Sequence, residues 1–256
     1  MPESTSPIGT VTQAQGQVDA FAHGEARHLA QGDPVFLGDE LHTGTASHVE
    51  IHFNDGTTLS QGPAGKLTID AFVYDAAAPD TANILLGMTQ GVFRTITGKI
   101  VEDNPDGFKI ETPLAVIGIR GTTLNNEVQP PHPDGSPGQE FHWVTELTGG
   151  QSMLLTDRLF GATEIVTQAM RGHAFSAQTG MGPLADLNAA QAQFYQHLAP
   201  FSERGEQFAP DSGARGGEED LPPPTPHGEA PHPPEPGHDA GLTGEPGDHG
   251  PLPTDH

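Results

Sequence analysis

The chain has 256 residues, no cysteine, and a formal net charge of −24 at pH 7 from 34 acidic and 10 basic residues. This charge disfavours nucleic acids and anionic membrane surfaces as partners, because binding phosphates requires clustered Lys and Arg. The lack of cysteine excludes disulfides, thiol catalysis and cysteine-type zinc sites. No basic and apolar signal-peptide pattern opens the chain, and no run reaches the roughly 18 apolar residues of a membrane helix. We therefore expect a soluble protein without membrane insertion or a cleaved signal peptide.

The first 180 residues contain short strand patterns separated by Gly, Pro and Asp. In SHVEIHF (47–53) and LTIDAFV (67–73), alternate residues are apolar, as in strands with one buried face. The sequence NDGT (54–57) is a turn signal. Further strands are predicted at 10–14, 17–21, 35–36, 91–96, 108–111, 114–119, 143–147, 153–156, 164–167 and 173–177. Many short strands with frequent turns indicate an all-β fold, either an elongated sandwich or a β-solenoid-like domain.

One amphipathic helix is predicted at 183–199, where Pro183 suits the first helical position and Pro200 ends the helix. Its stripe, at alternating spacings of three and four, consists of Leu184, Leu187, Gln191, Phe194 and Leu198. We expect this helix to pack against an end or an edge of the β-structure.

The segment 203–256 has a different composition, since 12 of its 54 residues are proline, 10 are glycine and 12 are acidic. Such a segment cannot bury enough apolar surface to offset its conformational entropy, so it is predicted to be disordered. The chain is accordingly predicted to comprise a disordered N-terminus (1–7), a β-domain (8–180), a helix (181–202) and a disordered acidic tail rich in Pro, Gly and His (203–256).

Four motifs follow one another within residues 8–178. They are Gly-x-Val at 16–18, Gly-Asp-x-x-x-x-Gly-Asp-x-Leu-x-Thr-Gly at 32–44, Phe-x-Asp-Gly-Thr at 53–57, and Thr-Pro with Arg-Gly-Thr at 112–122. In this order they resemble the FecR domain family, which is named after an iron-citrate signalling regulator. The structural motif of the resemblance consists of Gly32, Asp33, Gly38, Asp39, Thr43, Gly44, Asp55, Gly56, Thr112, Pro113, Arg120, Gly121 and Thr122.

This resemblance implies an all-β, non-enzymatic domain that binds a protein partner. In the signalling regulators the domain relays a receptor's state through a membrane helix to a sigma factor. No such helix is recognisable in this sequence, which is therefore more similar to stand-alone FecR-like proteins.

The run TPLAVIGIRGT (112–122) is the most apolar of the chain and ends in Arg120. One interpretation is that Arg120 binds the carboxylate of a ligand through its planar guanidinium. The other is structural, because a regular strand would place Arg120 on the same face as Leu114 and Val116, and buried charges persist only when paired. We favour the second and expect Arg120 to hold its turn to Asp39 or Asp55.

A candidate metal site is formed by His48, Glu50 and His52, which share one face of a predicted strand. The alternative is a solvated strand face. The tail histidines have irregular spacings and indicate at most weak binding of divalent metals; they are His227, His232, His238, His249 and His256. No catalytic residues are predicted, since the chain contains no Gly-x-Ser-x-Gly elbow and no phosphate loop.

The sequence thus predicts a non-enzymatic protein without a resident cofactor, acting in recognition, scaffolding or signalling at the bacterial envelope or surface. Its partner would be a protein bound through the β-domain. Export would follow a route without a cleaved signal peptide, with the cytoplasm as the alternative compartment. A metal-binding or metal-responsive protein that uses the tail and the His48 strand face is the alternative function.

Overall fold

The structure is a computed structural model that describes residues 6–198, except for the side chains of 148–149 and 196–198. Strands make up most of these residues. These residues include two α-helices, α1 (Ile100–Asp103) and α2 (Ala189–Leu198). The sixteen strands of the same residues are β1 Gly9–Gln15, β2 Val18–Ala22, β3 Glu25–His28, β4 Pro34–Val35, β5 Glu40–Thr43, β6 His48–Phe53, β7 Thr58–Gln61, β8 Lys66–Val73, β9 Asn83–Ile96, β10 Phe108–Glu111, β11 Ala115–Gln129, β12 Gln139–Asp157, β13 Thr163–Val166, β14 Arg171–Ser176, β15 Gly180–Met181 and β16 Ala185–Asp186. The predicted all-β class is confirmed.

Hydrogen bonds join these strands into one continuous sheet, which the three longest strands divide into two layers. The first halves of β9 and β11 and the end of β12 pair with β8, β10 and β13, and β8 continues to β5, β2 and β3. We call this set layer A. The second halves of β9 and β11 and the first part of β12 pair with one another and with β7 and β14. From β7 the sheet continues to β6, β1 and β4. This second set, with β15 and β16 beside β14, is layer B.

The long strands pass from one layer to the other at glycines. Gly91 in β9, Gly121 in β11 and Gly150 in β12 have φ values of 111°, 77° and 84°, which residues with a Cβ rarely adopt. The register between β11 and β12 shifts at this point, between Arg120 and Thr122. Strands that change layers in this way form the corners of packed sheets.

The core lies between the two layers, which pack through their alternating inward side chains. In layer B, β6 buries Val49, Ile51 and Phe53, as the alternation of its sequence predicts. The ring of Phe53 stacks on Phe72 of β8 in layer A, with 5.6 Å between the centroids. Each large apolar side chain that is fully buried stabilises the fold by about 1.5–3 kcal/mol, so this core provides most of the favourable free energy.

The helix α2 packs on the outer face of layer B. It begins at Ala189 and not at the predicted position 183, because Ala185 and Asp186 pair with β14. Asn188 caps its first turn in a reciprocal arrangement: its Oδ1 accepts from the N–H of Gln191 at 2.9 Å, and Gln191 Oε1 accepts from the N–H of Asn188 at 3.2 Å. The sequence NAAQ is therefore the true start signal of this helix.

The buried face of α2 also differs from the predicted stripe. Leu187 of the predicted stripe is buried against Trp143 of β12, but it precedes the helix. Within α2, Tyr195 is buried against Trp143, whereas Phe194 of the stripe is 49% exposed. Tyr195 and not Phe194 faces the sheet, where its ring packs with Trp143 and its hydroxyl donates to Glu127 at 3.4 Å. The tail with its histidines lies outside the described residues. Within residues 6–198, no helix is long and apolar enough to span a membrane.

Candidate functional site

The first Gly-Asp pair of the predicted motif builds the turn before β4. Gly32 has a φ of 92° and donates its N–H to the carbonyl of Val11. The side chain of Asp33 accepts from the N–H of Ala30 at 2.8 Å, and its carbonyl accepts from Val11. This is the short-range capping that Asp provides in turns. The two backbone hydrogen bonds with Val11 join the loop before β4 to β1.

In the second Gly-Asp pair, the buried carboxylate of Asp39 forms an ion pair with the partly exposed Arg27, and not with Arg120 as the sequence predicted. Asp39 is 1% exposed, and its Oδ2 accepts from Arg27 Nη2 at 2.6 Å and from the N–H of Phe36 at 2.8 Å. The guanidinium of Arg27 also lies 5.1 Å from the centre of the Phe36 ring. Gly38 donates its N–H to Ile69 of β8, so this loop is joined to layer A.

Thr43 and Gly44 hold the loop between β7 and β8. The hydroxyl of Thr43 donates to the carbonyl of Gly62 at 2.6 Å and accepts from the N–H of Gly65 at 2.8 Å. The carbonyl of Gly44 accepts from the N–H of Ala64 at 3.0 Å. Both motif residues therefore act on backbone groups more than 15 positions away, which the local pattern alone does not reveal.

The Asp-Gly turn at 55–56 is joined to the segment that enters α1. Asp55 is 1% exposed, and it accepts from the N–H and the hydroxyl of Thr57, at 3.0 and 2.7 Å. It also accepts from the N–H of Ile100 at 3.4 Å, and its carbonyl accepts from Lys99 at 2.9 Å. Gly56 closes the turn with a φ of 88°. The carboxylate is therefore surrounded by N–H and O–H donors and not by Arg120.

Thr112 and Pro113 precede β11 in a turn that reaches a buried polar network. The hydroxyl of Thr112 donates to Glu140 Oε2, and Glu140 Oε1 accepts from the N–H of Leu114 at 3.0 Å. His142 Nε2 lies 3.1 Å from Glu140 Oε2, and His142 Nδ1 lies 2.9 Å from Asn126 Oδ1. Thr122, beyond the corner at Gly121, accepts at its carbonyl from Thr97 and donates its N–H to the Thr97 hydroxyl.

The expected role of Arg120 is wrong. Its side chain is 50% exposed and binds Asp106, with 3.1 Å from Nε and 2.6 Å from Nη2 to Oδ1, and not Asp39 or Asp55. In the first half of β11, before the corner at Gly121, the buried apolar residues are Ala115, Ile117 and Ile119. Thr112 and Ala115 close a turn through their backbones, so the regular strand begins one residue after Leu114. A one-residue offset moves every side chain to the opposite face.

The structure also does not assemble the predicted metal site. Glu50 is 8% exposed, and its carboxylate accepts from the hydroxyls of Thr12 and Ser60, at 2.9 and 3.4 Å. His48 is half-buried and His52 is exposed. Among residues 6–198, no three His, Asp or Glu side chains lie where they could hold one metal ion.

A different surface has the properties of a docking site: the free edge of β13. Asp157 donates its N–H to Ala162, so the hydrogen-bonded pairs of this hairpin are Leu155–Glu164 and Met153–Val166. Because bonded and non-bonded pairs alternate, the N–H and C=O groups of Thr163 and Ile165 point away from β12. Over the described part of the chain, no other strand pairs with this edge.

The same hairpin carries the three most exposed large apolar side chains of the described residues. Phe160 is 62% exposed, Ile165 is 58% exposed and Leu159 is 50% exposed. Ile165 lies in register with Leu154, which lies beside Gly118 of β11. Clustered apolar exposure on one element is typical of interaction surfaces, whereas single exposed residues are common everywhere.

Asp157 fixes the conformation of the loop that presents Leu159 and Phe160. Its Oδ1 accepts from the N–H groups of Leu159 and Phe160, at 2.7 and 2.9 Å, and its Oδ2 accepts from Met181 at 2.6 Å. Burial by itself raises the pKa of this carboxyl, but the hydrogen bonds from Phe160, Leu159 and Met181 lower it more, so the pKa lies below its ordinary value. Asp157 therefore remains an anion that organises the loop.

Arg158 connects this loop to the Thr-Pro turn of the predicted motif. Its Nη1 donates to the carbonyl of Thr112 at 3.0 Å and lies 3.4 Å from Glu111 Oε2, and its N–H donates to Leu114. The other outer strand of layer A, β3, is composed of Glu25, Ala26, Arg27 and His28. Charged residues of this kind protect an edge from pairing, and β13 has only Glu164.

The sequence reasoning did not find Asp157, Leu159, Phe160 or Ile165 as functional residues. It did predict strands at 153–156 and 164–167, which lie close to the observed hairpin. The available signal was the pair of adjacent large apolar residues in DRLFGA, at 157–162, between two predicted strands. Loops are usually polar, so two such residues in a loop indicate either burial or recognition.

The model of the FecR protein family matches residues 39–134, and the predicted resemblance is confirmed over that range. No curated protein matches the chain. Two crystal structures of a "putative anti-sigma factor" from Parabacteroides distasonis ATCC 8503, at 2.50 and 1.65 Å resolution, are similar to it with a TM-score of 0.42 each and 13% and 12% sequence identity. Each similarity covers 60% of this chain and 62% of that one.

Proposed function

We propose that this chain, which matches the FecR protein family over residues 39–134, is a non-enzymatic recognition and signalling-accessory protein of the bacterial envelope or surface. Its β-domain would bind an extended segment of a protein partner along the free edge of β13. The observation that carries the proposal is the coincidence of an unpaired strand edge with three exposed apolar side chains on one hairpin.

Strand addition uses the backbone groups that β13 leaves unpaired. A partner strand would exchange hydrogen bonds with Thr163 and Ile165, and its alternate side chains would lie on the outer face, beside Ile165 and Leu154. Main-chain pairing of this kind provides affinity, and the side-chain contacts provide specificity.

The apolar contacts are strong enough to contribute to binding. A large apolar side chain stabilises by about 1.5–3 kcal/mol when it is fully buried, and Leu159, Phe160 and Ile165 are each half exposed or more. Covering them would contribute about 3–5 kcal/mol before the cost of association is subtracted. The partner segment should therefore be extended, with apolar residues at alternate positions.

A display library of random peptides selected on the full-length chain tests this proposal. The variant Ile165→Pro removes the N–H that points to the free edge and leaves the hydrogen bonds between β12 and β13 in place. We expect the selected peptides to show alternating apolar residues, and to bind Ile165→Pro at least about tenfold more weakly than the original chain.

The matched control is Ile165→Val, which keeps the edge and most of the apolar contact and should retain binding. Thermal unfolding of both variants shows whether they fold. Peptides that bind Ile165→Pro as tightly as the original chain, or that lack any extended apolar pattern, would exclude β13 as the docking edge.

A further inference from the structure

A small cleft lies between α2 and the outer face of layer B, on a different surface from β13. Its volume is about 160 Å³, and its walls include Arg94, Asn125, Glu146, Met170, Ala192 and Tyr195. One water molecule needs only about 10–15 Å³ of such space, and drug-sized ligands occupy pockets of about 300–1,000 Å³. The size therefore fits a ligand of few non-hydrogen atoms.

The cleft wall contains a buried acceptor without a donor. Asn125 is 1% exposed, and its Nδ2 donates to the hydroxyl of Thr145 at 3.0 Å. Its Oδ1 has no hydrogen-bond partner among residues 6–198. A buried polar atom that lacks its partner is costly, so most such atoms in folded proteins are satisfied. An N–H group of a ligand would satisfy this oxygen.

The rim of the cleft stores backbone strain. Met170 has a φ of 62°, which disfavours a residue with a Cβ. Two hydrogen bonds hold it there, from its N–H to Val144 at 2.7 Å and from the N–H of Leu187 to its carbonyl at 2.8 Å. Strain of this kind persists where the surroundings over-determine it, and it clusters at ligand sites.

The wall of the cleft contains a positively charged side chain, Arg94, and a negatively charged one, Glu146. Arg94 lies in register beside Asn125 and is 6% exposed, whereas Glu146 accepts from the hydroxyl of Thr123 at 3.0 Å. Burial, and after it the charge of Glu127, raises the pKa of the Tyr195 phenol, so this group stays neutral and donates to Glu127. Met170 and Ala192 supply the apolar part of the wall.

We propose that this cleft binds a small α-amino acid in its zwitterionic form. The carboxylate would pair with Arg94, the ammonium group would donate to Asn125 Oδ1 and Glu146, and a small aliphatic side chain would contact Met170 and Ala192. Because Ala192 and Tyr195 belong to α2, an occupied cleft would hold this helix on layer B. The site is independent of the proposed docking edge.

Isothermal titration calorimetry of the full-length chain with glycine, L-alanine and L-valine tests the proposal. Propionate and ethylamine are matched probes, since each lacks one of the two charges of alanine. We expect L-alanine to bind at least about tenfold more tightly than either probe. Equal affinity for propionate or ethylamine, or no binding of any amino acid up to about 10 mM, overturns the proposal.

The location is tested with Ala192→Phe, which fills the cleft from the helix side, and with Gln193→Phe, which adds the same ring at the neighbouring exposed position. We expect the first to abolish binding and the second to retain it, with circular dichroism as the check on folding. Asn125→Ala supplies a second variant of the wall and should weaken alanine binding about tenfold or more. Loss of binding in Gln193→Phe, or full binding in Asn125→Ala, overturns the assignment to this cleft.

Discussion

Replacing Arg27 by alanine removes the cation that neutralises Asp39. The carboxylate is 1% exposed, and only the N–H of Phe36 would still donate to it. Breaking a buried pair so that one charge stays buried and unpaired costs about 3–5 kcal/mol. We expect Arg27→Ala to fall near the lower end of this range, because the arginine itself is 36% exposed and the site is partly reached by water.

The reverse change, Asp39→Ala, should cost less. It removes the buried charge, and the partly exposed guanidinium of Arg27 can then bind water. What is lost are hydrogen bonds of a charged acceptor, each of which contributes about 1.5–3 kcal/mol. Because removing the carboxylate also relieves the cost of burying its charge, which offsets part of this loss, we expect a net loss of about 2 kcal/mol. In the double variant, the loss should be clearly smaller than the sum of the two single losses, since both residues belong to one interaction.

Arg120→Ala is the matched control, because it removes an arginine from an exposed ion pair: the side chains of Arg120 and Asp106 are 50% and 76% exposed. Exposed pairs contribute about 0–1 kcal/mol. Urea unfolding at pH 7, followed by circular dichroism, measures all four variants. A loss above about 2 kcal/mol in Arg120→Ala, or a larger loss in Asp39→Ala than in Arg27→Ala, would refute the reasoning from burial.

The pKa of Asp157 is lowered in the folded state, so its contribution to stability is present above the unfolded value of about 3.9 and is lost as pH falls through the folded pKa. The urea midpoints of the original chain and Asp157→Asn should differ at pH 7 and converge below about pH 4; a difference independent of pH would contradict this. Ala64→Gly should stabilise the chain by about 1 kcal/mol in urea unfolding, because Ala64 has a φ of 51°, and a destabilised variant would contradict it. Asn188→Ala should reduce the helical signal of α2 by removing its cap, worth about 0.5–2 kcal/mol, while Asn83→Ala, outside the helix, should leave that signal unchanged.

The strands whose apolar residues alternate were predictable from the sequence. SHVEIHF became β6 with Val49, Ile51 and Phe53 inside, and 108–111 coincides with β10. The prediction failed in the second half of β11, RGTTLNNEVQ, because polar residues occupy both faces there. Asn126 points to the core and satisfies His142, which is 16 residues away. A partner so distant cannot be read from a local window, and without it a buried Asn does not resemble a core residue.

The sequence also did not predict which residues of the strand at 112–122 face inward, or where the long strands turn from one layer to the other. The prediction counted the run 112–122 as one regular strand, and the turn between Thr112 and Ala115 shifts its phase by one residue. Gly121 was recognised as part of a motif, but its function as a corner depends on its φ of 77°. Gly91, Gly121 and Gly150 turn three long strands together, which a sequence shows only as separate glycines far apart along the chain.

The hydrogen bonds of the family motif also bear on the choice of partner. The matched range, 39–134, contains Asp39, Asp55 and Thr112, whose side chains bond to neighbouring backbone or buried groups and so maintain the arrangement of the strands. The hairpin with Phe160 and Ile165 lies beyond it and is joined to it through Arg158 and Thr112. A frame fixed by buried polar contacts allows an exposed edge to change without loss of the fold, since exposed substitutions usually cost less than about 0.5 kcal/mol. We therefore expect partner specificity to reside in the exposed residues of this hairpin. Replacing Leu159, Phe160 and Ile165 while keeping Arg158 and Gly161 should alter binding, and the unfolding midpoint should stay close to its original value.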